Sequence, residues 1–590
     1  MANLKKRSRE ETSTKENAGV AANKKRKTPT VKPNTSTKKE KPKPHSKKFT
    51  VDKLKKQPKP VKLSSKESHA KAKSLRIERR QKDCSHYDVT VEIKKLWEDL
   101  RRQDMSKDKR MQLCDKIMTL VRGKERDFVF AHDTTRIFQC LCKYAPAVLR
   151  SELFSSLKES VLEMTKSKYS VFFVRSLLRR GTKEEKHFII GKLMENARRL
   201  LTHKTAGPVV EYAYNEYANS QQRLSFSRQF YGPSFMLVST AKDQPLSEVL
   251  NLQPEKKPFI LKYMRETLES IIHKDALSYT FVHNLLFEYL THSDDTDRQA
   301  LAECLQEHVP HIVHTREGAK AGMYVVWYSS AKGRKLIIKQ IKPYIEKLLV
   351  EEYGHMLLYA IFDTVDDTKL VSKLIVSTII EKMQVLVDDK YGRHVLHYLL
   401  SARDPQCVNK EIRDFLSIGD ANPFSKKDSD IRRKELRDEI SSACLAYAAE
   451  HLDKLMSNGS LKMLLFSILK HASGDQSPLL SKIVTLFDSP YSETASTHVL
   501  NDKAMRFCIR KLIQNDTTGS VADQFVDGIK SSHLSTYCQY EQGCYLVLTL
   551  LNSSISDQGK TTLVKLLRKH KDAISKLANS TLKESMLNFI

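Results

Sequence analysis

Cations, amides and rings recur along this sequence at intervals that place them on equivalent turns of successive helices. Arg136 and Gln139 come first, then Lys168, Phe172 and Arg175, then Lys204. Lys320 follows, then Lys390, Arg393, His394 and His397, and last Arg506. Ammonium and guanidinium groups meet phosphate oxygens, an amide such as that of Gln139 can pair with a base edge, and a ring or guanidinium stacks on a base face. Such stacking is worth about 1–3 kcal/mol per base. The set has the chemistry of a polyanion grip with stacking platforms. Any one of these residues could equally sit on a solvated or packing face, and it is the phasing that favours the grip. Val171, Gly207 and Ala319 occupy equivalent positions and cannot make two hydrogen bonds to a base edge, so sequence-independent contact is expected over most of the chain.

Catalytic and metal patterns are missing. The chain has no G-x-x-x-x-G-K-[ST], H-E-x-x-H or G-x-S-x-G, and no G-x-G-x-x-G after a strand. His308, His311 and His314 are spaced three apart, but Pro310 interrupts the helix and no acid or cysteine completes a metal set. His394 and His397 have Asp388 and Asp389 nearby, yet fit the recurring face better than an acid–base pair. No enzyme activity, metal or cofactor is expected. Ten cysteines without a C-x-x-C pair point to buried free thiols in a reducing compartment.

These side chains must be positioned by helices. From about Val91 apolar residues fall at helical spacing, as in Ile93, Leu96, Trp97 and Leu100, and this persists almost to Ile590. Gly and Pro number only 18 each in 590 residues, too few for an all-β chain, while 40% apolar residues suffice for sizeable cores. The helices also repeat. Windows opening at Thr135, Val171, Gly207, Tyr279, Ala319, His355 and Arg393 lie 36–40 residues apart, except for one gap of about twice that length holding a weaker copy, "FYGPSFMLV" (230–238). Later copies are 458–469, 503–513 and 542–551, making about eleven units. This period predicts an all-α solenoid whose helix pairs bury apolar faces against their neighbours. The first, second and fifth residues of each window are expected to share a stripe facing away from the packed side. Residues 217–232, where the register weakens, are a candidate joint for a bent or L-shaped array.

The windows "DKYGRHVLHYLL" (389–400) and "HDTTRIFQCL" (132–141) resemble the Puf (Pumilio) repeat. The long basic N-terminus, the degenerate units and "SKKDSDIRRKEL" (425–436) resemble its nucleolar Puf-A branch. That resemblance implies nucleic-acid binding, with roles in pre-rRNA processing and large-ribosomal-subunit assembly or regulation of bound RNA. The implied partners are RNA (pre-rRNA or mRNA), DNA by the same phosphate chemistry, and ribosome-assembly proteins. A capped array is expected to be monomeric. Within 425–436, Lys426, Lys427, Arg432, Arg433 and Lys434 fit either a phosphate contact or a solvated linker helix.

Charge is concentrated at the start. Residues 1–80 hold 27 Lys+Arg against 7 Asp+Glu, about two thirds of the +31 net charge. Few large apolar residues stand there, so 1–85 is expected to be a disordered basic arm, followed by repeats at 90–220 and 221–590. Lys24, Lys25, Arg26 and Lys27 resemble a nuclear localisation signal, which points to the nucleus and, through the Puf-A resemblance, the nucleolus. No secretory signal and no membrane span are expected. The competing function is a protein–protein adaptor that holds peptides in its groove.

Overall fold

The computed structural model describes residues 64–83, 86–237, 244–274, 276–488, 491, 498–516 and 518–590. Lys24–Lys27 and the arm as far as residue 63 lie outside them. The chain divides into two compact units, Met1–Arg79 and Arg80–Ile590. Among the described residues every regular element is a helix.

Helix α1 (Ser65–Asp83) corrects part of the expectation for the arm. The Ser64 amide donates to Glu67 Oε2 at 2.9 Å, and the Glu67 amide donates to Ser64 Oγ at 3.3 Å. This reciprocal cap opens a stretch of Ala, Lys, Arg and Glu with no Gly or Pro, which suffices for a helix without a core to pack on.

The larger unit is built on one row of helices, each touching the next. The row begins with α2 (Tyr87–Leu100), α3 (Thr135–Tyr144), α4 (Val171–Arg180), α5 (Gly207–Glu216) and α6 (Thr280–His292). It continues with α7 (Arg316–Trp327), α8 (Gly354–Thr364) and α9 (Lys390–Leu400). The elements that intervene outside the row include α10 (Lys410–Ile418) and α11 (Ser429–Glu450). The row then resumes with α12 (Gly459–His471), α13 (Lys503–Asn515), α14 (Glu541–Leu551) and α15 (Ser580–Leu587). The all-α solenoid is as expected, and rings lock its steps. Phe138 meets Phe173 edge-on at 5.7 Å, and Tyr359 stacks on Tyr398 at 3.9 Å.

The phasing differs from expectation at one place. Helix α5 packs directly on α6: Tyr214 meets Phe281 at 5.2 Å, and the Thr280 amide donates to Glu211 at 2.7 Å. Among the described residues no row helix lies between them, so the long gap is one step rather than two. The described part of the weaker copy, 230–237, holds a single turn, Pro233–Met236, after Gly232 at φ 87°. A Cβ at Gly232 would lie 2.6 Å from the Tyr263 ring, so glycine is required there twice over. The extra length forms Ser220–Arg228, within the candidate joint, and Lys257–Ile272; these pack on Lys183–Glu195 and Asp295–Leu305 respectively, outside the row.

The stripe also needs correction. First positions Thr135, Val171, Gly207, Ala319 and His355 are buried, as are fifth positions His283, Met323, Tyr359 and His397. Neighbouring helices come too close for these positions to face outward; a Cβ at Gly207 would sit 2.6 Å from the Tyr279 hydroxyl. The second position remains the outward one in α3, α4 and α5.

In segment 425–436 Lys426 and Lys434 are exposed, while the other three cations are taken up by the fold. Arg432 is buried at the start of α11 and donates to the Asp363 carbonyl at 2.8 Å, to Asp366 at 2.9 Å and to the Lys427 carbonyl. Lys427 pairs with Glu435. The guanidinium of Arg334, also buried, binds the carbonyls of Val326 and Trp327 together with the Asn422 and Ser425 side chains. Arg403, in left-handed backbone at φ 59°, joins Asp363 and Asp420, and Asp363 also accepts from Tyr398 at 2.8 Å. Cationic side chains thus pin 401–436 to the ends of α7 and α8.

Removing the Asp363 carboxylate leaves Arg403 and the Tyr398 hydroxyl without their buried acceptor. Asp363→Ala is expected to cost about 3–5 kcal/mol in urea unfolding. A loss below 1 kcal/mol would show that this cluster does not hold the segment.

Burial also fixes charge. His283, His355 and His397 are each pushed down to about 4, chiefly by desolvation, while Glu288 is pushed up to about 7 by the same cause. Below pH 6.5 the unfolded chain takes up three histidine protons that the folded chain refuses, so that stability is lost as pH falls toward 4. Glu288 opposes this with one proton between pH 7 and 4.5. The net expectation near pH 5.5 is a loss of roughly 3 kcal/mol per pH unit, read from urea midpoints. A midpoint that does not fall between pH 6.5 and 5 would contradict the neutral buried rings.

Candidate nucleic-acid interface

On α3 and α4 the outward second position begins a stripe that continues four and seven residues later on the same helix face. It carries Arg136, Cys140 and Lys143 on α3, and Phe172, Ser176 and Arg179 on α4. Arg136, Lys143, Phe172 and Arg179 are exposed, Phe172 by 51%. Gln139 is half-buried one turn along from Arg136, and Arg175 is exposed one turn along from Phe172. The Arg175 guanidinium lies 4.8 Å above the Tyr212 ring of α5, and Tyr212 meets the Tyr217 hydroxyl at 2.9 Å. This pairing seats the guanidinium on a ring while the side chain stays exposed. Lys168 is exposed on the turn before α4, 5.7 Å from the Tyr169 ring, and Lys204 is exposed on the turn before α5. The helices α3 to α5 therefore bring six residues singled out in the sequence into one stretch: Arg136, Gln139, Lys168, Phe172, Arg175 and Lys204. Lys143 and Arg179 were missed; their spacing of seven from Arg136 and Phe172 was the available signal.

The middle of the row is different. The stripe there is Thr280, Asn284 and Phe287 on α6, and Lys320, Tyr324 and Trp327 on α7. Segment 404–421, containing α10, lies on it. Phe415 sits 6.0, 5.7 and 5.4 Å from the rings of Phe287, Tyr324 and Trp327. Glu411 pairs with Arg316 and, at 3.0 Å, with Lys320, whose ammonium also lies 5.1 Å from the Phe415 ring. Lys320 is thus neutralised and largely covered, which corrects its expected phosphate role. Those two cations hold the Glu411 carboxyl below its usual range.

Of the other residues singled out in the sequence, Arg393, Arg506 and His397 serve the fold, while Lys390 stays exposed. Arg393 donates to the carbonyls of Val387 and Asp388, closing the helix that ends there. Arg506 donates to the carbonyls of Leu500 and Val499. His397 is buried against Ser467 Oγ at 2.8 Å and Cys407 Sγ at 3.4 Å. His394 is half-buried, 3.3 Å from the Cys407 carbonyl. Lys390 is exposed over the Tyr391 ring at 5.1 Å. On α13 and α14 the exposed residues include Phe507, Arg510, Lys511 and Tyr545, with Arg510 5.9 Å from the Tyr545 ring.

Residues 388–522 match the CPL (NUC119) domain. The chain is 35% identical to human Pumilio homolog 3 over 494 residues, 82% of this chain and 76% of that protein. Pumilio domain-containing protein 12 of Caenorhabditis elegans is 30% identical over 543 residues, 89% of this chain and 70% of that protein. The crystal structure of human Puf-A superposes with a TM-score of 0.77 at 34% identity, covering 85% of this chain and 100% of that one. Human Puf-A has also been solved in complex with DNA, again at a TM-score of 0.77. With its row of helices and its relatives pointing the same way, the chain belongs to the Puf (Pumilio-repeat) family, in the Puf-A branch.

Proposed function

We propose that this protein is a nucleic-acid-binding scaffold that grips the sugar–phosphate backbone with little regard for sequence. The observation that carries the reading is the open stretch on α3 to α5, where Arg136, Lys143, Arg175 and Arg179 alternate with the exposed Phe172 ring. Phosphates neutralised there release counterions, and Phe172 offers a platform to any base. Buried first positions leave few groups to read base edges, so discrimination is expected to be weak. Backbone contact does not separate RNA from DNA by itself, and the human relative solved with DNA supports the broader chemistry. The Puf-A kinship and the basic N-terminus support a nucleolar role in pre-rRNA processing and large-subunit assembly.

The test is a salt titration on a random single strand. Log K is expected to fall with log salt by about 0.7 for each phosphate contact. Arg136→Glu with Arg175→Glu should weaken binding across all sequences and flatten that slope by about 1.4, with helicity unchanged. Phe172→Ala should cost about 1–3 kcal/mol of affinity without changing the slope. A slope near zero in the unaltered protein would favour the peptide-binding adaptor instead. Deleting residues 1–80 should lower nuclear accumulation of a fluorescent fusion, and unchanged import would remove the targeting assignment.

A further inference from the structure

The segment that crosses α6 and α7 has the chemistry of the strand it displaces. Lys320 is the second position of its window, equivalent to Arg136 and Phe172 on the open stretch. On it rests a carboxylate, Glu411, shared with Arg316. One helical turn further along α10, Phe415 lies among three rings that occupy the stripe of α6 and α7. An anion on two cations, followed by a ring seated tilted and edge-on among three others, repeats the order of phosphate and base in one nucleotide of a bound strand. A Cβ at Gly419 would lie 2.4 Å from the Trp327 ring, so the backbone itself lies close against that ring. Beyond the helix the segment is clamped by Arg403 on Asp420 and Arg334 on Asn422. Beside α10, a cleft of about 280 Å³ separates it from Tyr353, His355, Tyr391 and His394.

We propose that segment 404–421 is a built-in competitor covering a latent single-strand nucleic-acid site made by Arg316, Lys320, Phe287, Tyr324 and Trp327. This rests on the backbone-grip reading above and deepens it. Segment and strand exclude one another there, so the unaltered protein holds nucleic acid on α3 to α5 and not on α7. Glu411 is the contact that decides occupancy, because it alone neutralises both cations of the covered site.

The experiment compares Glu411→Gln with Asp414→Asn in the full chain. Both remove one negative charge from the same short helix, but Asp414 is exposed on it and makes neither of the Glu411 pairs. The probe is a photo-crosslinkable random 12-nucleotide RNA, with peptides mapped by mass spectrometry and affinity followed against salt. Glu411→Gln is expected to bind at least threefold more tightly than Asp414→Asn. Its salt slope should be steeper by about 1.4, for two added phosphate contacts on a single strand. New crosslinks should appear within 316–327 in Glu411→Gln only. Equal affinities and slopes for the two variants would overturn the proposal, as would crosslinks to 316–327 in the unaltered protein. An α7 site that bound an acidic peptide but no RNA in Glu411→Gln would also overturn it. Failure of the unaltered protein to bind the RNA at all would instead strike the backbone-grip reading, and Arg175→Glu in the same titration separates the two results.

Discussion

Successive row helices stand so close that the residue opening each one has room only for what its neighbour leaves. Gly207 lies against Tyr279, Ala319 has no exposure, and His355 is buried against the rings of Tyr359 and Tyr391. This spacing follows from the solenoid itself. No single helix pair here can bury its apolar flank alone, so each step closes on the next until rings such as Tyr359 and Tyr398 stack directly. The same closeness decides what is left for a ligand. On α3 and α4 one edge stays outward, at the second position and at four and seven residues beyond it, whereas on α8 the same three positions, Met356, Ala360 and Asp363, are buried.

What stands on that edge changes along the row, and the change is electrostatic. On α3 and α4 it is Arg, Lys and Phe in water, a surface that attracts polyanions and gives bases something flat to meet. On α6 and α7 half of it is aromatic, and it is closed by the protein's own Glu411 and Phe415. A bare aromatic floor of that kind would be a liability in water, and covering it removes the apolar exposure together with two cations. The buried arginines Arg334 and Arg432, with Arg403, explain how a loop-rich insertion can be held there. Each donates to a carbonyl at a helix end, Arg334 to Thr364, Arg432 to Asp363 and Arg403 to Leu416.

The all-α solenoid and its period were legible because apolar residues must recur wherever helices stack. The open stretch was largely legible too, since Arg136, Phe172 and Arg175 fall in phase and their neighbours there are small or apolar. Three things were not. The gap between Gly207 and Tyr279 was read as two steps, because sequence spacing cannot tell a row helix from one packed behind it. Arg393 and Arg506 were given to ligand, but a guanidinium serves a helix carbonyl as readily as a phosphate and type alone does not distinguish them. Segment 404–421 was missed because it belongs to no repeat; only its pairing with Arg316 and Lys320, about ninety residues earlier, reveals what it does.

If charge on the phosphates is what the protein holds, the most direct measurement removes that charge and keeps the bases. Binding of the full chain to a single strand would be compared with binding to the same sequence carrying neutral methylphosphonate linkages. A backbone grip requires the neutral strand to bind at least a hundredfold more weakly, with its residual affinity insensitive to salt. Equal binding of the two strands would contradict it and assign recognition to the bases.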